Sequence, residues 1–116
     1  MFGFEKLDVW QVAIQYSGAI YDVTQNFPND ERFGLTNQLR RASVSVSSNI
    51  AEGSGRESNK DFTRFIHIAY GSLMETVSQL AIAIERQFLT ADDHQRLYKF
   101  ADRLAKMLSR LRSSLA

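Results

Sequence analysis

Apolar residues return at helical spacing along most of the chain, and no stretch alternates apolar with polar as a half-buried strand would. Val9, Val12, Tyr16, Ile20 and Val23 form the first such series and predict a helix from about Asp8 to Asn26. Pro28 ends it, because proline cannot continue the hydrogen-bond ladder and pushes Phe27 toward an extended conformation. A second series, Leu35, Leu39, Ala42, Val46, Ile50 and Gly53, predicts a helix from about Leu35 to Glu52, closed by the turn-tolerant GSGRESN. The third, about Lys60 to Phe88, has one seam at Phe62, Ile66, Ala69, Leu73, Val77, Leu80 and Ile84 and a second, offset face at Phe65, Ile68 and Ile82. A helix apolar on two sides needs more than one neighbour. The fourth begins at Thr90, an N-cap with Asp92 and Asp93 in the favourable first turn. Its seam steps 4,3,4,3,4 through Leu97, Ala101, Leu104, Leu108, Leu111 and Leu115. Short connections between such helices imply an all-α fold, an antiparallel up-down four-helix bundle.

Composition narrows the picture only a little. The 116 residues, 44% hydrophobic and 23% charged, suit one domain spanning 1–116 with a single core. Without cysteine there are no disulfides, thiolate metal sites or cysteine nucleophiles. The longest apolar run, LAIAI, is far short of the ~18 residues of a membrane span, so no membrane partner is expected. The opening MFGFEKLDVW has acids where a leader needs bases, and a cytoplasmic protein is the expectation. The net charge is +1, but its distribution is uneven. Residues 94–116 hold six bases against Asp102 alone.

Placed on the second helix, the stretch RRASVSVSSNIAEGSG from Arg40 to Gly55 separates into the apolar stripe and a polar column of Arg41, Ser45, Ser48 and Glu52. Gln38 and Asn49 fall between that column and the core. Small side chains let another helix backbone come near, and their hydroxyls can bond across the gap. The plainer alternative is a solvated face, although four serines between 43 and 48 suit an exposed helix poorly. Arg41 and Glu52 lie too far apart to pair with each other and invite partners on a neighbouring helix.

Catalytic chemistry finds no support. EGSGR follows no strand and precedes no GK[ST], so it is not a phosphate loop. A serine nucleophile needs a base, and only His67 and His94 are present. His67 in FIHIAY reads as a packed or interface residue, and His94 follows two aspartates at a helix start. The DDH run lacks the i, i+4 spacing that puts metal ligands on one helical face. Glu52, Glu75 and Glu85 carry no Glu-x-x-His signature of a di-iron bundle. No enzyme, no cofactor and no metal site is expected.

Arg96, Lys99, Arg103, Lys106 and Arg110 step 3,4,3,4 along the last helix. They form either a solvated flank whose stems cover the core edge or a positive surface that tracks phosphates. Only Tyr98 and Phe100 interleave, so any RNA or DNA would be held by its backbone and without sequence preference.

The stretches FEKLDVWQVA, FPNDERFGLTNQLRRASVSVSSNIAEGSGR and DFTRFIHIAYGSLMETVSQL, with the basic amphipathic tail, resemble the four-helix-bundle family encoded in intervening sequences of bacterial 23S rRNA genes. The most specific parts are GLTNQLRRA at 34–42 and SNIAEG at 48–53. Many relatives carry a proline just before Ser48, where this chain has Ser47. The resemblance implies subunits assembled into a ring, typically a homopentamer, and marks Arg40, Arg41, Ser45, Ser48, Asn49, Glu52 and Gly53 as motif or interface residues. A related protein, the accessory variability protein of diversity-generating retroelements, binds nucleic acid and a reverse transcriptase through a basic surface. The expected function is thus a non-enzymatic oligomeric scaffold binding RNA or DNA through the stripe. The competing expectation is a structural or protein-interaction ring that binds no nucleic acid.

Overall fold

Four helices carry the chain in the computed structural model, which describes residues 1–116. They are α1 (Asp8–Thr24), α2 (Leu35–Ser54), α3 (Asn59–Glu85) and α4 (Ala91–Ser114), with short 3-10 turns at Gly3–Lys6 and Asn29–Glu31. There is no strand. α1 touches α2 and α4, and α3 touches the same two, so α1 and α3 face each other across the core diagonal. The result is an antiparallel bundle 43 × 24 × 23 Å, its long axis close to the ~40 Å expected for the 27-residue α3.

Local signals account for most helix ends. Ser58 and Thr90 cap α3 and α4, their hydroxyls accepting from the backbone N–H of Asp61 and Asp93 at 3.1 Å each. Glu31 reaches forward to accept from the Leu35 N–H at 3.2 Å, serving a free donor at the start of α2. α2 then runs unbroken through Ser47, where the chain has no proline to bend it. α3 stops at Glu85 instead of running to Phe88 as its apolar pattern suggested. The reason is Gln87, held at φ 63°, a left-handed position usually given to glycine. The Phe88 N–H returns to the Ala83 carbonyl at 2.9 Å and the Gln87 N–H to Ile84 at 3.0 Å, closing a Schellman turn. Phe88 is thereby turned against Phe27 of the α1–α2 connection, ring centroids 5.6 Å apart.

One core cluster draws on all four helices. The periodic residues of α1, and Leu39, Val46, Ile50, Ile66, Leu73, Leu80, Leu97, Leu104 and Leu108, are buried in it. At its centre Tyr16 crosses the diagonal from α1 to Thr76 of α3, the two hydroxyls 2.8 Å apart. Thr76 already donates its one hydroxyl proton to the Leu73 carbonyl, so Tyr16 is the donor to Thr76. Phe100 of α4 meets the same ring edge-on at 5.3 Å. Burial pushes the Tyr16 pKa up from 10.0 to about 12, against the opposing pull of the Thr76 hydrogen bond.

Candidate nucleic-acid interface

The α4 stripe faces outward because the leucine seam claims the opposite side of the helix. Arg96, Lys99, Arg103, Lys106 and Arg110 are all exposed, while Leu97, Leu104 and Leu108 are buried. At 1.5 Å rise per residue the five bases occupy ~21 Å of helix axis. Two of them have acidic neighbours on their own helix: Arg96 pairs with Asp93 at 3.2 Å and Lys106 with Asp102 at 3.0 Å. Both pairs are exposed, and such pairs are worth only ~0–1 kcal/mol and yield to salt or to a stronger anion. Lys99, Arg103 and Arg110 have no acidic partner. Of the two interleaved aromatics, Phe100 turns inward to Tyr16, and Tyr98 remains 56% exposed.

The motif residues of α2 divide between α1, α3 and solvent. Arg40 is tied to α1: its Nε donates to Thr24 Oγ1 at 2.9 Å and its guanidinium lies 4.7 Å from the centre of the Tyr21 ring. Ser45 meets α3, its hydroxyl 2.9 Å from that of Ser72, and Asn49 donates to both the carbonyl and the hydroxyl of Ser45. Gly53 comes closest of all. A Cβ there would lie 2.6 Å from Phe65 Cβ and 2.9 Å from Phe62 Cδ1. Arg41, Ser48 and Glu52 face solvent, with Glu52 pairing at 3.4 Å to Arg56 just past the end of α2 and Arg41 meeting no acid.

Spacing alone missed the serines that are most enclosed. Ser43 and Ser47 are buried, and Ser43 meets Ser17 of α1 at 3.0 Å. The shared i, i+4 step of Ser43 and Ser47 put them on one line, but serine carries no hydrophobic signal to mark that line as inward. His67, expected to be packed or at an interface, is not packed within the subunit: it is exposed on α3, next to the exposed Ile68. No three His, Asp or Glu side chains gather into a cluster able to hold a metal ion. No helix is long and apolar enough to cross a membrane.

Fold and surface together define an all-α, antiparallel four-helix-bundle protein whose outward chemistry is organised charge. The chain belongs to the 23S rRNA-intervening sequence protein family, which it matches over residues 5–110. Its fold is similar to that of a protein of unknown function from the S23 ribosomal protein family of Bacteroides thetaiotaomicron, known from a crystal structure at 1.70 Å resolution. The TM-score is 0.83, over 90% of this chain and 97% of that one, at 21% sequence identity. At such identity the likeness speaks for the fold alone. Neither match names a reaction. No curated protein matches the chain.

Proposed function

We propose that the protein is a non-enzymatic, oligomeric scaffold that binds RNA or DNA in the cytoplasm through the basic stripe of α4. The observation that carries this reading is the exposure of all five bases on one helical face, three of them without an acid. A ring of five copies, as the family resemblance implies, would repeat the stripe and strengthen its field around one particle. Phosphate binding of this kind releases counterions, so affinity must fall with salt at a log–log slope of about −0.9 per duplex phosphate neutralised. Replacing Arg103 and Lys106 together by glutamine should weaken binding to all sequences alike and flatten the slope by roughly two per engaged subunit. Folding should survive, since the leucine seam is untouched. Anisotropy titrations across a salt series, with light scattering to count subunits of 13.2 kDa, measure both parts.

A second reading, a structural or protein-binding ring without nucleic acid, draws on α3. Ile68 and Ile82 are 46% and 50% exposed on its outward face, and between them Gly71 has nothing within 4 Å of where a Cβ would be. Beneath the same face, Gln79 Nε2 donates to Gln38 at 3.4 Å and to Glu75 at 3.0 Å, while its buried Oε1 has no hydrogen-bond partner. A second chain laid there would cover the isoleucines and bring donors. Wild-type protein that assembles yet shows no salt-sensitive binding near physiological ionic strength would establish this reading over the first.

A further inference from the structure

The groove between α3 and α4 runs beside the basic stripe. Part of it is a hollow of about 190 Å³ walled by Tyr70, Met74 and Val77 of α3 and by Tyr98 of α4, with Asp102 at its edge. Tyr70 and Asp102 also border a second, more polar depression that continues to Lys106 and Arg110. Apolar wall and cationic rim are therefore continuous. Ordinary ligand pockets measure roughly 300–1,000 Å³, so the hollow has room for one flat ring system and little more. Tyr98 and Met74 are 56% and 38% exposed, an aromatic face and a polarisable thioether held open to solvent. One oxygen of Asp102 pairs with Lys106 at 3.0 Å, and the other offers the hollow a hydrogen-bond acceptor, as carboxylates do for the N–H edges of bases.

We propose that this groove receives an unpaired base of single-stranded RNA or DNA, stacked on Tyr98, while Lys106 and Arg110 hold its phosphates. The inference rests on the nucleic-acid reading above and sharpens it. Backbone binding alone treats duplex and single strand as similar polyanions, whereas bases stacked inside a duplex cannot enter a side pocket. Lys106 and Arg110 lie ~12 and ~18 Å beyond Tyr98 along the helix axis at 1.5 Å per residue, so the strand runs along α4. The cations favour an anionic occupant and the aromatic-walled hollow beside them a flat ring, and a single-stranded polynucleotide supplies both at every step along its length.

Fluorescence anisotropy with one labelled sequence as single-stranded RNA, single-stranded DNA and duplex tests the inference on the full chain. Both single strands should bind about tenfold or more tightly than the duplex. Tyr98→Ala should weaken single-strand binding by roughly 5- to 140-fold while leaving duplex affinity and the salt slope unchanged. Tyr98→Phe, which keeps the ring, should retain single-strand affinity. Because Tyr98 is more than half exposed, the variant should fold, and a thermal melt checks it. Salt-steep binding that ignores strandedness and Tyr98 would overturn the base pocket and leave the stripe standing. Absence of any salt-sensitive binding would remove the stripe as well. A Tyr98→Ala change in particle mass would show instead that the groove is a contact between copies, which also overturns the proposal.

Discussion

Along one side of α3 the neighbouring helix is drawn in; along the other it is held off. Toward α2, Gly53 admits Phe65 and Phe62 to distances that no side chain at that position would allow. Ser45 meets Ser72 at 2.9 Å, and Gln38 accepts from Gln79. Toward α4, no side-chain hydrogen bond crosses, and the small Ala101 and Ala105 face Tyr70 and Met74 across an open hollow. Small residues thus serve opposite ends. Opposite an aromatic seated in the seam they permit approach, and opposite half-exposed groups they leave room. The hydrogen-bonded side fixes helix register, while the apolar, unbonded side can widen without stranding a polar group. The α3–α4 side is accordingly where a guest would cost the fold least.

The difference can be broken most severely at Gly53. Gly53→Leu places bulk against Phe65 Cβ, an atom that cannot move without its backbone. Overpacking of this kind should cost ~3 kcal/mol or more, against less than ~1 kcal/mol regained from helix propensity. A drop of roughly 10 °C in Tm is expected. A melt within a degree or two of wild type would mean that α2 and α3 are free to separate.

Next in size is an alkaline effect centred on Tyr16, which joins α1 to Thr76 of α3 and to Phe100 of α4. The unfolded phenol ionises near 10.0 and the folded one near 12, so between those values the folded chain keeps a proton that the unfolded chain releases. Stability is therefore whole below about pH 10 and falls as pH rises toward 12, by about 2–3 kcal/mol at ~1.4 kcal/mol per unit. Tyr16→Phe should lose about 1 kcal/mol at neutral pH, since Thr76 keeps its bond to Leu73, and should lack this alkaline increment. Urea unfolding of both proteins at pH 9 and pH 12 reads the difference. Equal losses would place the alkaline sensitivity elsewhere.

Elements and their core faces could be read from the chain because a 3.6-residue period in leucine, isoleucine and valine is a strong signal over helices this long. The chemistry at their surfaces was harder to read, for physical reasons. Ser43 and Ser48 are alike in sequence, yet one is enclosed by Ser17 of α1 and the other meets solvent, a choice made by which helix arrives alongside. Tyr70 and Tyr98 come together only because α3 and α4 pack antiparallel in one register, which no local pattern specifies. Gln87 ends α3 in a left-handed conformation without the glycine that normally announces it. The basic stripe, by contrast, was evident beforehand: its spacing is local, and long charged side chains on a helix with one apolar seam have only the outside to occupy.

The smallest effects offer the most direct comparison, since the same enlargement can be made on either side of α3. Ser45→Leu inserts bulk where two hydroxyls stand 2.9 Å apart and also removes one of the two acceptors used by Asn49. It should cost ~1–3 kcal/mol, as overpacking typically does. Ala105→Leu enters the hollow between α3 and α4, which has about 190 Å³ to receive it. Its stability should change by no more than about ±0.5 kcal/mol, in the range of ordinary surface substitutions. The two differ further in what they do to binding. Ala105→Leu fills the space proposed for a base and should weaken single-stranded RNA while sparing duplex affinity. Ser45→Leu, on the other side of α3, should alter neither binding mode in protein that remains folded. Parallel melts and titrations of the two variants decide the matter. If Ala105→Leu destabilises as much as Ser45→Leu, the α3–α4 side is as tightly closed in solution as the α2–α3 side, and the contrast between them fails.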